Sequence, residues 1–202
     1  MYMKKQLKPV SQAFERTSDG LDGIIEALRG HLPPNPPPPP PSNPKTVVTY
    51  KNGNVIEYLI EGELGENSIP DKENAVKVDI GTDVTSILAN AFCDGCSGLT
   101  SITIPDSVTC IGDEAFSNCS GLTSITIPDS VTSIWNYAFS YCSGLTSVTI
   151  PNNVTSIGNN AFYNSKSVIV TFKGRTKAQV QAMSNFQWGL GPGKIVCTDG
   201  TL

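Results

Sequence analysis

Histidine is nearly absent from this 202-residue chain: its one copy, His31, stands beside a run of prolines. Ser-His and Cys-His nucleophile pairs, HExxH zinc sites and histidine general bases are therefore excluded from the rest of the chain. Charge is sparse as well. Charged residues make up 16% of the chain and aromatics 7%, with a formal net charge of −4. Apart from a minor cluster at Lys4, Lys5 and Lys8, the basic residues are scattered. Nucleic acid and anionic lipid both require clustered cations, so nucleic acid is not an expected partner. No apolar stretch approaches the ~20 residues of a membrane span. Two lysines open the N-terminus, but no apolar core of a signal peptide follows, so export by the usual secretory route is not expected. Neither GxxxxGK[ST] nor GxGxxG after a strand occurs, and GLGPG at 189–193 reads as a loop. No cofactor and no metal are expected, and no carboxylates converge: Asp106 and Asp129 recur with the period of the sequence and read as turn residues.

What is present is repetition. Residues 99–121 read LTSITIPDSVTCIGDEAFSNCSG, residues 122–144 LTSITIPDSVTSIWNYAFSYCSG, and residues 145–167 LTSVTIPNNVTSIGNNAFYNSKS. A looser copy begins at Ala75, with one extra residue between Phe92 and Cys96. A fixed short period is the signature of a solenoid, in which each coil buries its apolar face only against its neighbours. Aligned coils give vertical ladders: Val78, Ile102, Ile125, Val148; Ile80, Ile104, Ile127, Ile150; Val84, Val108, Val131, Val154; Ile87, Ile111, Ile134, Ile157; and Phe92, Phe116, Phe139, Phe162. Burying each side chain is worth ~1.5–3 kcal/mol, enough for four coils with two caps to fold. Within TSITIP the period is two, a short strand with isoleucines inward and Ser/Thr outward. Pro105, Pro128 and Pro151 end that strand, having no N–H to donate.

On this pattern, LTSITIPDSVTSIG followed by AF and C, the chain resembles the BspA-type leucine-rich repeat. Such repeats occur in bacterial surface proteins, some protist surface proteins and phage structural proteins. The resemblance implies a leucine-rich repeat solenoid with a binding or adhesive role and no catalytic residues. The expected fold class is thus a mostly β repeat solenoid with short helical turns and caps at both ends, preceded by a short amphipathic helix and a polyproline linker.

That helix is read from Leu21, Ile24, Ile25, Leu28 and Leu32, spaced i, i+3, i+4, i+7. About three turns long, it is too short to stand alone in water and needs a partner, so residues 1–32 are expected to anchor the chain to a larger assembly or to self-associate. Residues 33–45 form the linker, with nine prolines among residues 33–44, a polyproline II spacer reaching roughly 35 Å at ~3.1 Å per residue. Residues 46–74 are expected to supply a capping hairpin turning at Asn52-Gly53 through a type I′ turn, then a polar connector over 61–74. Four repeats over 75–167 and a C-terminal cap over 168–202 complete the domain, with Trp188 over the open end of the core.

The cysteines Cys96, Cys119 and Cys142 share one repeat position, taken by Ser165 in the fourth coil. They read as a buried ladder of small side chains in the reduced state. Two surfaces are candidates for recognition of protein or carbohydrate. One is the outward hydroxyl ladder Ser101, Thr103, Ser124, Thr126, Ser147 and Thr149, which strand propensity explains equally well. The other is a set of aromatics that break the repeat: Trp135, Tyr137 and Tyr141 in one coil, with Tyr163 in the next. Trp and Tyr dominate interface hot spots and stack on sugars. The arrangement of anchor, spacer and head without a signal peptide fits a virion component, such as a phage fibre or decoration protein. The alternative is a bacterial cell-surface adhesin.

Overall fold

In a computed structural model the described residues are 45–202, except Asp94, Asn185, Gln187 and 191–193. The helix expected within residues 21–32 and the proline spacer up to residue 44 lie outside them.

The chain enters through a hairpin of β1 (Lys45–Tyr50) and β2 (Val55–Leu59), then β3 (Gly62–Leu64). Each of four coils then contributes two strands. These are β4 (Ala75–Asp79) and β5 (Val84–Ile87), β6 (Ser101–Thr103) and β7 (Cys110–Ile111), β8 (Ser124–Thr126) and β9 (Ser133–Ile134), and β10 (Ser147–Ile150) and β11 (Ser156–Ile157). The chain closes with β12 (Ile169–Phe172), the short helix α1 (Lys177–Gln181), β13 (Ile195–Cys197) and β14 (Gly200–Thr201). The first strands of the coils form one wall, in the ladders β2-β1-β4-β6 and β14-β13-β12-β10-β8, with β6 lying against β8. The second strands form another, in the order β11-β9-β7-β5-β3. Within both walls, successive coils pair parallel and in register: Val78 with Ile102, Ile125 with Val148, Ile111 with Ile134.

A third side, the arc carrying NAF, EAF or YAF, closes each coil. Its backbone also bonds between coils, Phe92 N to Ala115 O, Phe116 N to Ala138 O and Phe139 N to Ala161 O, each at 2.7–2.8 Å. The identical register stacks the four phenylalanines with ring centroids 5.2, 5.3 and 5.5 Å apart and planes within 10° of parallel. All four are fully buried, as are the Val84 and Ile87 ladders, so the core runs the length of the stack.

Two expectations about the N-terminal cap need correction. The hairpin does not turn through a type I′ turn. Gly53 N donates to Tyr50 O at 2.9 Å, Tyr50 N to Asn54 O at 2.9 Å, and Gly53 alone takes positive φ (+84°). This is a three-residue loop, a type I turn closed by a left-handed glycine, which suits the twist of the flanking strands equally well. Nor is 61–74 merely a polar connector. Gly62–Leu64 pairs parallel with β5, and Leu64 and Ile69 are buried. This segment is a degenerate first turn of the second wall, so that wall has five strands where four repeats were expected. The leucine and isoleucine were too isolated among polar residues to show their period.

Each end is tied by a cation that gathers several backbone carbonyls. Lys72 Nζ donates to the carbonyls of Glu66, Asn90 and Ala91 at 2.9–3.1 Å. Arg175 donates to the carbonyls of Asn152 and Val154 at 2.7 and 2.6 Å. Beyond the last coil, Trp188 is 1% exposed, packs on Phe172, and its main chain accepts the bond from Phe162 N that an alanine accepts elsewhere.

Phe139, with a ring stacked on each face, tests the core. Phe139→Ala is expected to lower the unfolding free energy by about 3–5 kcal/mol, read from urea denaturation.

Candidate ligand-binding surface

The hydroxyl ladder and the aromatics occupy different sides of the solenoid. Ser101, Thr103, Ser124, Thr126 and Ser147 are exposed and Thr149 half-buried on the outer face of the first wall. Ser147 lies beside Ser124 and Thr149 beside Thr126. The rows continue through Lys77 and Asp79 on β4, an ion pair at 2.8 Å, and through Ile169 and Thr171 on β12. None of these residues takes a positive φ. They are those an exposed strand favours, and their hydroxyls are not brought toward any aromatic of the candidate set.

The aromatic set lies on the arc and differs in kind. Tyr137 and Tyr141 both have left-handed backbones, φ +54° and +56°. The equivalent residues of other coils share this geometry: Asn90, Glu114 and Asn160 at the first position, Asn118 and Asn164 at the second. The geometry belongs to the coil, and asparagine suits it because its short polar side chain tolerates left-handed φ. A tyrosine there is strained. Burial does not offset the strain, since the side chains are 38% and 44% exposed. The Tyr137 hydroxyl does accept a 3.0 Å bond from Asn160 Nδ2. Tyr141 meets Tyr163 edge-on, centroids 5.6 Å apart, and Tyr163 is likewise 44% exposed. Tyr163 takes the place of Ser117 and Ser140, whose buried hydroxyls bond each other at 2.9 Å, so it interrupts that ladder.

Trp135 is the most exposed of the set at 50%, with its indole N–H 3.4 Å from Ser133 Oγ. Its ladder reads Gly65, Leu88, Gly112, Trp135, Gly158. A Cβ on Gly112 would lie 2.7 Å from the backbone of Leu88 and Ala89, and one on Gly158 within 2.6 Å of Trp135 and Asn136. The two large side chains thus alternate with glycines, and the indole is half exposed. Leu88, 38% exposed, was overlooked in the sequence. The signal was there: the first coil reads SILANAF where the others read SIG or SIW.

The cysteine position proves more specific than a slot for a small apolar side chain. Cys119 Sγ donates to Phe92 O at 3.4 Å and Cys142 Sγ to Phe116 O at 3.1 Å. Ser165 Oγ, the substitute, donates to Phe139 O at 2.7 Å. The ladder requires a small donor, which is why serine replaces cysteine. Burial raises the thiol of Cys96 to about 11 and that of Cys142 to about 12, and raises Cys119 too. They are not poised nucleophiles. Among the described residues no group of three or more His, Cys, Asp or Glu could hold a metal ion, and no helix is long and apolar enough to cross a membrane.

The geometry defines a capped leucine-rich repeat solenoid, and the comparisons agree. The profile of the BspA type leucine rich repeat region matches residues 63–186 with six copies. The chain belongs to this family. The matched copies extend beyond the four repeats of 75–167 on both sides, as the degenerate turn at β3 does. A leucine-rich repeat protein from Bacteroides ovatus is similar at 36% identity and TM-score 0.50, over 61% of this chain and 31% of that one. A leucine-rich repeat protein of T. pallidum is similar at 25% identity and TM-score 0.46, over 62% of this chain and 56% of that one. A leucine rich cell surface protein from Faecalibacterium prausnitzii is similar at 23% identity and TM-score 0.46, over 70% of this chain and 41% of that one. The chain therefore spans between about a third and just over half of the length of these proteins. No curated protein matches.

Two measurements check this account. Tyr141→Asn is expected to raise the unfolding free energy by about 1 kcal/mol, since it removes the strain of a bulky residue at left-handed φ without emptying any core. The buried thiols stay protonated in the folded state to higher pH than the ~8.5 of an unfolded cysteine. Their stabilisation is complete below that pH and is lost as pH rises through about 11 and 12, the folded values of Cys96 and Cys142. The urea midpoint is expected to fall over that window in the native chain, and less in Cys119→Ser/Cys142→Ser, which keeps the donors.

Proposed function

We propose that this chain is a non-enzymatic recognition protein whose solenoid presents the arc around Trp135, Tyr137, Tyr141 and Tyr163 to a protein or carbohydrate ligand. The observation that carries the reading is the pair of tyrosines at left-handed backbone. Beyond one hydrogen bond to Asn160 and one ring contact with Tyr163, these two bulky residues at left-handed backbone stay exposed, which favours a contact outside the folded chain. The neighbouring half-exposed indole supplies the flat apolar surface that sugars and protein hot spots use. The hydroxyl face is the second surface, but it carries no strain that asks for an explanation.

In this proposal residues 1–32 dock or self-associate through Leu21, Ile24, Ile25, Leu28 and Leu32, and the proline run holds the solenoid away from that attachment. Of the two carriers, a bacterial cell surface is favoured over a virion. Support comes from membership of the BspA-type family and from the Bacteroides ovatus relative, a bacterial leucine-rich repeat protein. Nothing in the comparisons speaks for a phage particle.

The test is binding of the full chain to immobilised panels of neutral and acidic oligosaccharides and of peptides. Trp135→Ala/Tyr141→Ala is expected to lose binding at least tenfold, the loss of one or more hot-spot side chains, while its unfolding midpoint holds. Undiminished binding by this variant moves the site to the hydroxyl face. Binding is also expected to shield Trp135 from acrylamide quenching, with the buried Trp188 as the internal reference.

A further inference from the structure

Three of the large hydrophobic side chains exposed on this domain sit on one five-residue strand: Val55 at 61%, Ile56 at 42% and Leu59 at 67%. That strand, β2, is also the outermost of its ladder. Its free backbone groups follow from the hairpin. Tyr50 N donates to Asn54 O, and bonded pairs alternate from there, so Val48–Ile56 and Thr46–Tyr58 exchange bonds with β1. The N–H and C=O groups of Val55, Glu57 and Leu59 therefore face away from β1. An edge of this kind is a template for another strand unless something blocks it. Neither a bulge nor a proline blocks β2, and its one charge, Glu57, is matched by Lys45 Nζ at 2.7 Å.

We propose that β2 pairs with β2 of a second copy of this chain, antiparallel, about a twofold axis through Glu57. The argument for this occupant is the strand's self-complementarity. With Glu57 opposite its counterpart, Val55 lies opposite Leu59 twice on the outer face, and Ile56 lies opposite Tyr58 twice on the inner face. The three outward residues then exchange their backbone bonds symmetrically. The two glutamates at the centre come with two lysines, so the contact carries no net charge. Within Val55–Leu59 no other antiparallel register that pairs the outward residues aligns apolar residues on both faces. The chain's own preceding segment is a poor alternative, because nine of residues 33–44 are prolines without an N–H to add to a ladder. Five residues a side bury less than the ~1,200 Å² of stable interfaces, so the pairing is weak for isolated molecules and effective when copies are held close on a common surface. It is separate from the aromatic arc, and its success or failure leaves the arc untouched.

The test uses single cysteines in the full chain under mild oxidation, with the bridge located by mass spectrometry. Glu57→Cys is expected to form a disulfide between copies, and a Thr126→Cys control, mid-wall, to form none. Val55→Cys and Leu59→Cys chains are expected to cross-link with each other when mixed and not by themselves, which fixes the register. Adding Val55→Lys and Leu59→Lys to Glu57→Cys is expected to reduce the bridge to the control level with the unfolding midpoint unchanged. If Glu57→Cys bridges no more than Thr126→Cys, the pairing does not occur, and the edge is free or covered by something else. Bridging of Val55→Cys with itself would overturn the register.

Discussion

Parallel backbone hydrogen bonding between coils, repeated without slippage at about 4.8 Å, is the constraint on which the rest of this molecule depends. Three sides of each coil bond to the next: both strand walls and the arc. Because the register never shifts within the repeats, any side chain at one position meets the residue at the same position of the coils above and below. Stacked phenylalanines with centroids 5.2–5.5 Å apart and nearly parallel planes are the direct result. The cysteine ladder is another result. Each thiol reaches a carbonyl one coil back because its own coil is a translated copy, and serine can replace cysteine because the acceptor is always in the same place. Left-handed positions obey the same rule and recur at Asn90, Glu114, Tyr137 and Asn160.

Translation also creates the two weaknesses of such a stack, its ends. Both are handled by similar chemistry on different scaffolds. At the first end Leu64 and Ile69 make a shortened coil and Lys72 gathers three carbonyls. At the last end Trp188 substitutes for the next coil's alanine and Arg175 gathers carbonyls from the fourth coil. Single cations satisfy groups that would otherwise be left without a coil to bond to. What remains open at the first end is the outermost strand of the first wall, β2, which carries exposed Val55, Ile56 and Leu59 and little to discourage a partner strand.

A molecule so uniform makes its exceptions informative. The hydroxyl face keeps its Ser/Thr pattern over three coils, as strand propensity alone would have it. The aromatic arc departs from the repeat in one coil and its neighbour, and does so against the backbone's preference. Exposure alone would not separate the two surfaces, since both are exposed. Backbone conformation does, because Tyr137 and Tyr141 are bulky residues at left-handed positions that other coils fill with asparagine or glutamate. Trp135 stands between Gly112 and Gly158, positions where a Cβ would meet neighbouring backbone, and its indole is half in solvent.

Much of this was legible in the residues. The period of 23, the inward ladders, the strand within TSITIP and the break at its proline follow from local pattern alone, because each depends on spacing within one coil. The aromatic positions were visible too, as departures from an otherwise exact repeat. What the chain order could not show was set by packing between coils. Residues 61–74 look polar, and only the parallel pairing of Gly62–Leu64 with β5 reveals a further turn. The Asn52-Gly53 turn type was decided by a register that places Tyr50 opposite Asn54. The strain at Tyr137 and Tyr141 is likewise a property of the stacked arc. Spacing within a coil is written in the sequence, whereas the register between coils, and everything measured across it, exists only once the coils are stacked.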